Sequence, residues 1–186
     1  MRARLDHVGI LVESLENVTG KLKDLGLTCG GIEEFPSEGT REVYCGGEAS
    51  SGKLLFLQPM GEGPYASALE RRGPGLHHIA LHVENLERFI GSLAGSGWYL
   101  HPTSLESVRG FNTAWLARPA IPTLLEITQS ESVETADDFV VSKIEVPIEN
   151  RHSLVDALGI PQIARSTDQH CWLTVLGARL SVDSLT

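Results

Sequence analysis

The chain contains one stretch of itself twice, in register, at an offset of 71 residues. Residues 5–27 read LDHVGILVESLENVTGKLKDLGL and residues 76–98 read LHHIALHVENLERFIGSLAGSGW. Aligned without a gap, nine of 23 positions are identical, among them His7/His78, Glu13/Glu84, Gly20/Gly91 and Gly26/Gly97. The offset persists downstream, where Tyr44 faces Trp115, Leu54 faces Leu125 and Gln58 faces Gln129. A repeat of this size implies two copies of one supersecondary unit, each burying its face against the other.

Each copy opens with an alternating apolar strand, HVGILV or HIALHV, followed by a polar turn and a short helix. Leu15, Val18, Leu22 and Leu25 give that helix its three-to-four spacing. Ser14 and Asn85 are expected N-caps, and Gly26 and Gly97 expected C-terminal stops. Three strands should follow each helix, near 28–34, 41–46 and 53–58, then near 98–102, 112–118 and 123–128. The fold class is therefore α+β, with paired βαβββ modules at about 1–59 and 76–130 curling around a shared cup. Residues 60–75 form the linker, with a helix at about 64–71 ended by Gly73-Pro74-Gly75. After a polar stretch at 130–138, VSKIEVPIEN restarts the strand-and-turn pattern, so 139–186 is expected to be a third, degenerate βαβββ module. It places Lys143 where His7 and His78 stand.

Strand alternation aims the chemistry. His7 and His78 hold equivalent places in equivalent strands and should meet on one concave face. Glu126 stands mid-strand in TLLEIT, with Leu125 and Ile127 facing away. A carboxylate there is costly to bury unless paired or metal-bound. Two imidazoles and a carboxylate suit one divalent transition metal ion, such as Co, Ni, Zn, Mn or Fe. Glu42, in EVYC, is the candidate general base beside it. By alternation the adjacent His77 should turn to the opposite face and lie at the surface. His82, His101, His152 and His170 have no partner pattern.

The formal net charge of −9, with basic residues scattered, argues against nucleic acid as a partner. No apolar run approaches a membrane span, and the N-terminus lacks a signal-peptide core, so a cytoplasmic location is expected. Cys29, Cys45 and Cys171, widely spaced and odd in number, are expected to be reduced thiols. Apolar residues of the tail, including Ile144, Val146, Trp172, Leu173 and Val175, need a cover. That cover is either the first two modules or the same segment of a second chain, and twofold pairing in a homodimer is the expectation.

Paired βαβββ modules with a His in each first strand resemble the vicinal oxygen chelate superfamily. Within it, RRGPGLHHIALHVENLE at 71–87, IEEFPSEGTREVY at 32–44 and LLEITQ at 124–129 resemble methylmalonyl-CoA epimerases. The resemblance covers about 1–130. It implies a metal held by His7, the Leu55 position, His78 and Glu126, and a small-molecule substrate such as an acyl-CoA. Glu42 is then the base that removes a proton alpha to the thioester, with Glu126 as second acid/base partner. Arg71, Arg72 and Lys53 are candidates to meet CoA phosphates. Leu55 departs from the pattern, since it cannot ligate a metal. A bare His, His, Glu set resembles instead the facial triad of the extradiol Fe(II) dioxygenases. Glyoxalase-like lyase chemistry is a further alternative, as is a metal-free binding protein of the bleomycin-resistance kind.

Overall fold

The computed structural model describes residues 3–47, 50–102, 104, 112–119, 121–131, 139–148 and 158–186. The first repeat forms β1 (Ala3–Leu11), α1 (Leu15–Asp24), β2 (Glu33–Phe35), β3 (Thr40–Cys45) and β4 (Lys53–Pro59). The linker carries α2 (Pro64–Arg72). The second repeat forms β5 (Gly75–Val83), α3 (Leu86–Ser92), β6 (Tyr99–Leu100), β7 (Thr113–Ala117) and β8 (Leu124–Gln129). All eight strands make one sheet in the order β2-β3-β4-β1-β5-β8-β7-β6. The order reads the same from either edge once the repeats are exchanged, with antiparallel β1 and β5 at the seam. In each half the first strand pairs in parallel with the last, β1 with β4 and β5 with β8. The mixed α+β architecture of paired modules is thus the one expected.

The helices begin as the repeat predicts. Ser14 and Asn85 are the N-caps, their side chains accepting from the backbone N–H groups of Asn17 and Arg88. Gln58 and Gln129 add a symmetric second clamp. Each accepts through Oε1 from the first helical N–H, that of Leu15 or Leu86, at 3.1 and 3.0 Å. This satisfies donors that a helix start leaves unpaired and ties each helix to the last strand of its own module. Gly26, at φ 79°, follows the C-cap of α1 as expected. Gly97 does not end α3, whose C-cap is Leu93.

The tail forms a second sheet from β9 (Val141–Val146), β10 (Ile163–Arg165), β11 (Trp172–Val175) and β12 (Ala178–Ser181), closed by α4 (Val182–Leu185). It departs from the wiring of the repeats. Its order is β10-β9-β11-β12, so the first strand lies inside the sheet, parallel to the second. Residues 149–157, between its first two strands, lie outside the described residues.

The tail packs against the repeats of its own chain. Val141, Ile144, Val146, Leu173 and Val175 belong to the same buried core as Leu5, Val8, Phe56, Ile79 and Phe89 of the repeats. Burial of such side chains is worth about 1.5–3 kcal/mol each. Of the two covers expected for the apolar residues of the tail, the structure supplies the first two modules. The attachment starts at a backbone bridge between Ser51 and Phe139, with Val141 N–H donating to Gly52 O at 2.9 Å. Gly52, at φ 61°, allows this approach, since a Cβ there would stand 2.8 Å from the Val141 carbonyl oxygen.

A second correction concerns the cysteines. Cys29 and Cys45 face each other in an antiparallel bridge and form a disulfide, so two of the three expected thiols are oxidised. The spacing of 16 residues gave no hint, because the pairing depends on how the chain returns along β3. Cys171 is free.

Candidate metal centre

The sheet has two unlike faces. One carries the main core, with α1, α3 and the tail packed on it. The other receives His7 from β1, His78 from β5 and Glu126 from β8. On β8, Leu125 and Ile127 turn into the core and Glu126 turns out of it, as alternation demands. The three groups converge. His7 Nε2 lies 3.0 Å from His78 Nε2, 3.7 Å from Glu126 Oε2, and the latter oxygen is 3.6 Å from His78 Nε2. The circumcentre of a triangle with those sides lies about 2 Å from each atom, the length of a transition-metal bond to imidazole or carboxylate. Two neutral nitrogens and one anionic oxygen at that spacing fit a borderline-soft divalent ion. Among the described residues, this is the one cluster of ligating side chains with such geometry.

The surroundings of the two imidazoles repeat at the same offset of 71. Tyr44 sets its ring edge-on to His7 at 5.5 Å between centroids, and Trp115 does the same to His78 at 5.3 Å. Such contacts fix ring planes. Each Nδ1 is engaged by the preceding residue. Asp6 Oδ2 lies 2.8 Å from His7 Nδ1, and His77 Nδ1 lies 2.9 Å from His78 Nδ1.

His77 is therefore not the surface residue expected from strand alternation. It is 7% exposed and packs on Tyr65 of α2, with ring centroids 5.0 Å apart. The register explains the error. Along the β1–β5 seam, Leu5 pairs with Leu81 and His7 with Ala80, and Gly9 pairs with His78 and Ile10 with Leu76. Asp6 and His77 are the extra residues at two irregularities, and a bulge re-aims side chains that plain alternation would turn away. Of the other histidines, His82 sits 3.5 Å from the second oxygen of Asp6, with Arg4 also against its ring. His170 meets Asp183 at the surface of the tail. His152 lies outside the described residues.

Burial sets the charge states. It holds His78 well below the usual imidazole range, with His7 and His77 adding to the effect. It brings His77 down to about 4, helped by the Arg72 charge. It raises Glu126, a rise that His7 partly offsets. Burial raises Asp6 too, but loses to the His7 hydrogen bond and the His7, His82 and Arg4 charges, and its carboxyl is lowered. Burial thus favours the neutral form of His78, the form that ligates.

Gly9 makes the room. A Cβ at that position would stand 2.2 Å from Cε1 of His78 and 2.5 Å from both ring nitrogens. Gly9→Ala is expected to push the His78 ring out of place and weaken divalent-ion affinity on the order of 100-fold. Titration calorimetry measures this, with far-ultraviolet circular dichroism showing that the fold persists.

Glu42 and Leu55 complete the face. Glu42 is 9% exposed and accepts from Thr40 Oγ1 at 2.7 Å. Burial raises its pKa, and Thr40 opposes the rise. It stands two residues along β3 from Tyr44, the residue that packs on His7. Leu55 is opposite Gly9 across β1–β4, in the row that leads to His78. It is 3% exposed and joins Leu11, Leu57 and Ala68 in an apolar cluster beneath α2. Hydrocarbon thus stands at position 55, where the resemblance implies a fourth ligand. Gln58, the nearest alternative, is committed to the N-terminus of α1. Lys53 is paired in register with His7. Arg71 and Arg72 each donate to a backbone carbonyl, of Ser67 and Pro122 respectively.

Comparison with known proteins shows the family and the fold. Residues 6–113 match the family model of the Glyoxalase/Bleomycin resistance protein/Dioxygenase superfamily. The chain is 31% identical over 93 residues to the uncharacterized protein YqjC of Bacillus subtilis (strain 168), a match covering 49% of this chain and 65% of that protein. It thus spans slightly less than two thirds of that relative. A hypothetical protein from Bacillus halodurans C-125 is similar in structure, with a TM-score of 0.59 and 28% identity over 73% of this chain and all of the other. A methylmalonyl-CoA epimerase in complex with methylmalonyl-CoA and NH4+ has a TM-score of 0.55 at 19% identity, covering 73% of this chain and 100% of its own. A variant of the Streptomyces coelicolor methylmalonyl-CoA epimerase, in complex with 2-nitronate-propionyl-CoA, has a TM-score of 0.51 at 18% identity over 72% and 98% of the two chains. The last two likenesses are of fold.

Proposed function

Because this chain belongs to the glyoxalase/bleomycin resistance protein/dioxygenase superfamily, we propose that it is a metal-dependent epimerase or isomerase. It removes a proton from carbon next to a carbonyl, and its substrate is an acyl thioester of the methylmalonyl-CoA kind. The observation that carries this reading is the meeting of His7 Nε2, His78 Nε2 and Glu126 Oε2 at metal-bonding separation, on the face that also receives a second carboxylate, Glu42. The reading supplies each group with work. His7, His78 and Glu126 hold one divalent ion. Such an ion polarises a carbonyl oxygen and so makes the adjacent C–H more acidic. Glu42, its carboxyl raised by burial, takes the proton. Glu126, through its other oxygen, or a water returns a proton to the opposite face of the carbon. The apolar wall of Leu11, Leu55 and Leu57 beneath α2 keeps bulk water from the reacting carbon.

Proton exchange tests it. The chain loaded with Co(II), Ni(II), Mn(II) or Zn(II) should wash solvent deuterium into the alpha position of methylmalonyl-CoA, and chelation should stop it. An absence of exchange at full metal occupancy removes the epimerase reading and leaves a binding role.

Leu55 favours a second reading. Two His and one carboxylate, with hydrocarbon in the fourth direction, leave several coordination positions open, the arrangement that suits Fe(II) oxygen chemistry. Anaerobic loading with Fe(II), followed by oxygen uptake with catechols, separates the two. The same residue yields a direct prediction. Leu55→Glu should tighten divalent-ion binding about 10-fold or more, within the range that single groups around a metal contribute. Equal affinity of Leu55→Glu and wild type in calorimetry would show that position 55 is not aimed at the centre.

A further inference from the structure

We infer that His77 is the positioning residue of His78, accepting a hydrogen bond from its Nδ1–H so that Nε2 is presented to the metal, as Asp6 does for His7. The inference rests on the metal centre proposed above and deepens it. Four observations carry it. Asp6 and His77 are 71 residues apart, the offset of the repeat itself. Each is the unpaired extra residue at an irregularity of the β1–β5 seam, immediately before its ligand. Each reaches the Nδ1 of the following imidazole, at 2.8 and 2.9 Å. His77 is also fixed from behind, buried and set against the Tyr65 ring.

The tautomers follow from valence. A histidine that ligates through Nε2 carries its proton on Nδ1. His78 Nδ1–H then donates, so His77 receives through Nδ1 and keeps its own proton on Nε2. A ligand imidazole held in this way loses both its rotational freedom and its wrong tautomer. The repeat has kept the device and changed its chemistry, since Asp6 supplies an anion where His77 supplies a neutral ring. His7 is accordingly the more electron-rich donor of the pair. This also accounts for the doubled histidine in GLHHIA, of which the ligand set uses one.

The test is metal affinity, measured without substrate, so that turnover plays no part. His77→Phe keeps a buried ring but has no acceptor, and His77→Asn keeps a short acceptor. Co(II) titration should show His77→Phe weakened about 10- to 100-fold, with His77→Asn restored to within a few-fold of wild type. The visible Co(II) absorption should change in the first variant and return in the second. In the loaded wild type, long-range proton–nitrogen correlation should place the proton of His77 on Nε2 and that of His78 on Nδ1. Unchanged affinity in His77→Phe overturns the inference, as does equal weakening in both variants or a proton on Nδ1 of His77. Wild-type chain that takes up no Co(II) overturns the metal centre itself, a result distinct from all of these.

Discussion

His78→Ala is expected to abolish stoichiometric uptake of a divalent ion. The residue is 2% exposed and supplies one of three donors that meet at bonding distance. His7 and Glu126 remain, but two ligands on separate strands do not replace the third. Groups that only orient a ligand are worth about 10–100-fold in metal affinity, so removing the ligand itself exceeds that range. The measurement is metal content after incubation with excess Co(II) and gel filtration. The core-facing residues on the same strand, Ile79 and Leu81, are untouched, so the fold should persist. A variant that still retains one equivalent places the centre elsewhere.

Glu42→Gln is expected to stop exchange of the alpha proton proposed above and to leave the metal bound. The amide fills the same space and still offers an oxygen to Thr40 Oγ1, whose 2.7 Å hydrogen bond fixes the carboxylate. It cannot accept a proton from carbon. General-base contributions run to about 10²–10⁴-fold, so exchange should fall by that factor while calorimetric affinity for Co(II) stays at the wild-type value. Burial raises the carboxyl of Glu42, so the wild-type rate should fall as pH drops through a value above the ordinary carboxylate range. Unchanged exchange in Glu42→Gln assigns the base to another group. Loss of both exchange and metal would make Glu42 part of the metal centre.

The sequence made the paired modules and the convergence of His7, His78 and Glu126 legible for one reason: both follow from period and offset alone. Leu125, Glu126 and Ile127 alternate in the sheet as they do on paper. Features that depend on register were hidden. His77 turned inward because the seam between β1 and β5 slips by one residue on either side of the centre, and no pattern within a single strand reports a slip. The tail is a different case. Its apolar spacing correctly demanded a cover, but a hydrophobic stripe carries no address, and the repeats proved to be the nearer surface. The clamp of Gln58 and Gln129 was visible as a repeated pair, and its role emerged only when each was found at the start of a helix.

The disulfide gives the two halves different dependence on redox conditions. At the offset of 71, Cys29 and Cys45 correspond to Leu100 and Leu116, which pair with each other across β6 and β7. The same junction is thus a covalent bond in one module and a contact between two leucines in the other. Closing a loop of this length removes roughly 3 kcal/mol of chain freedom from the unfolded state. Reductant cancels that contribution in the half that carries His7 and Glu42 and has nothing to cancel at the matching junction in the half that carries His78 and Glu126. A pseudosymmetric sheet is in this way left with one edge whose stability follows the thiol–disulfide balance of its surroundings and one edge that ignores it.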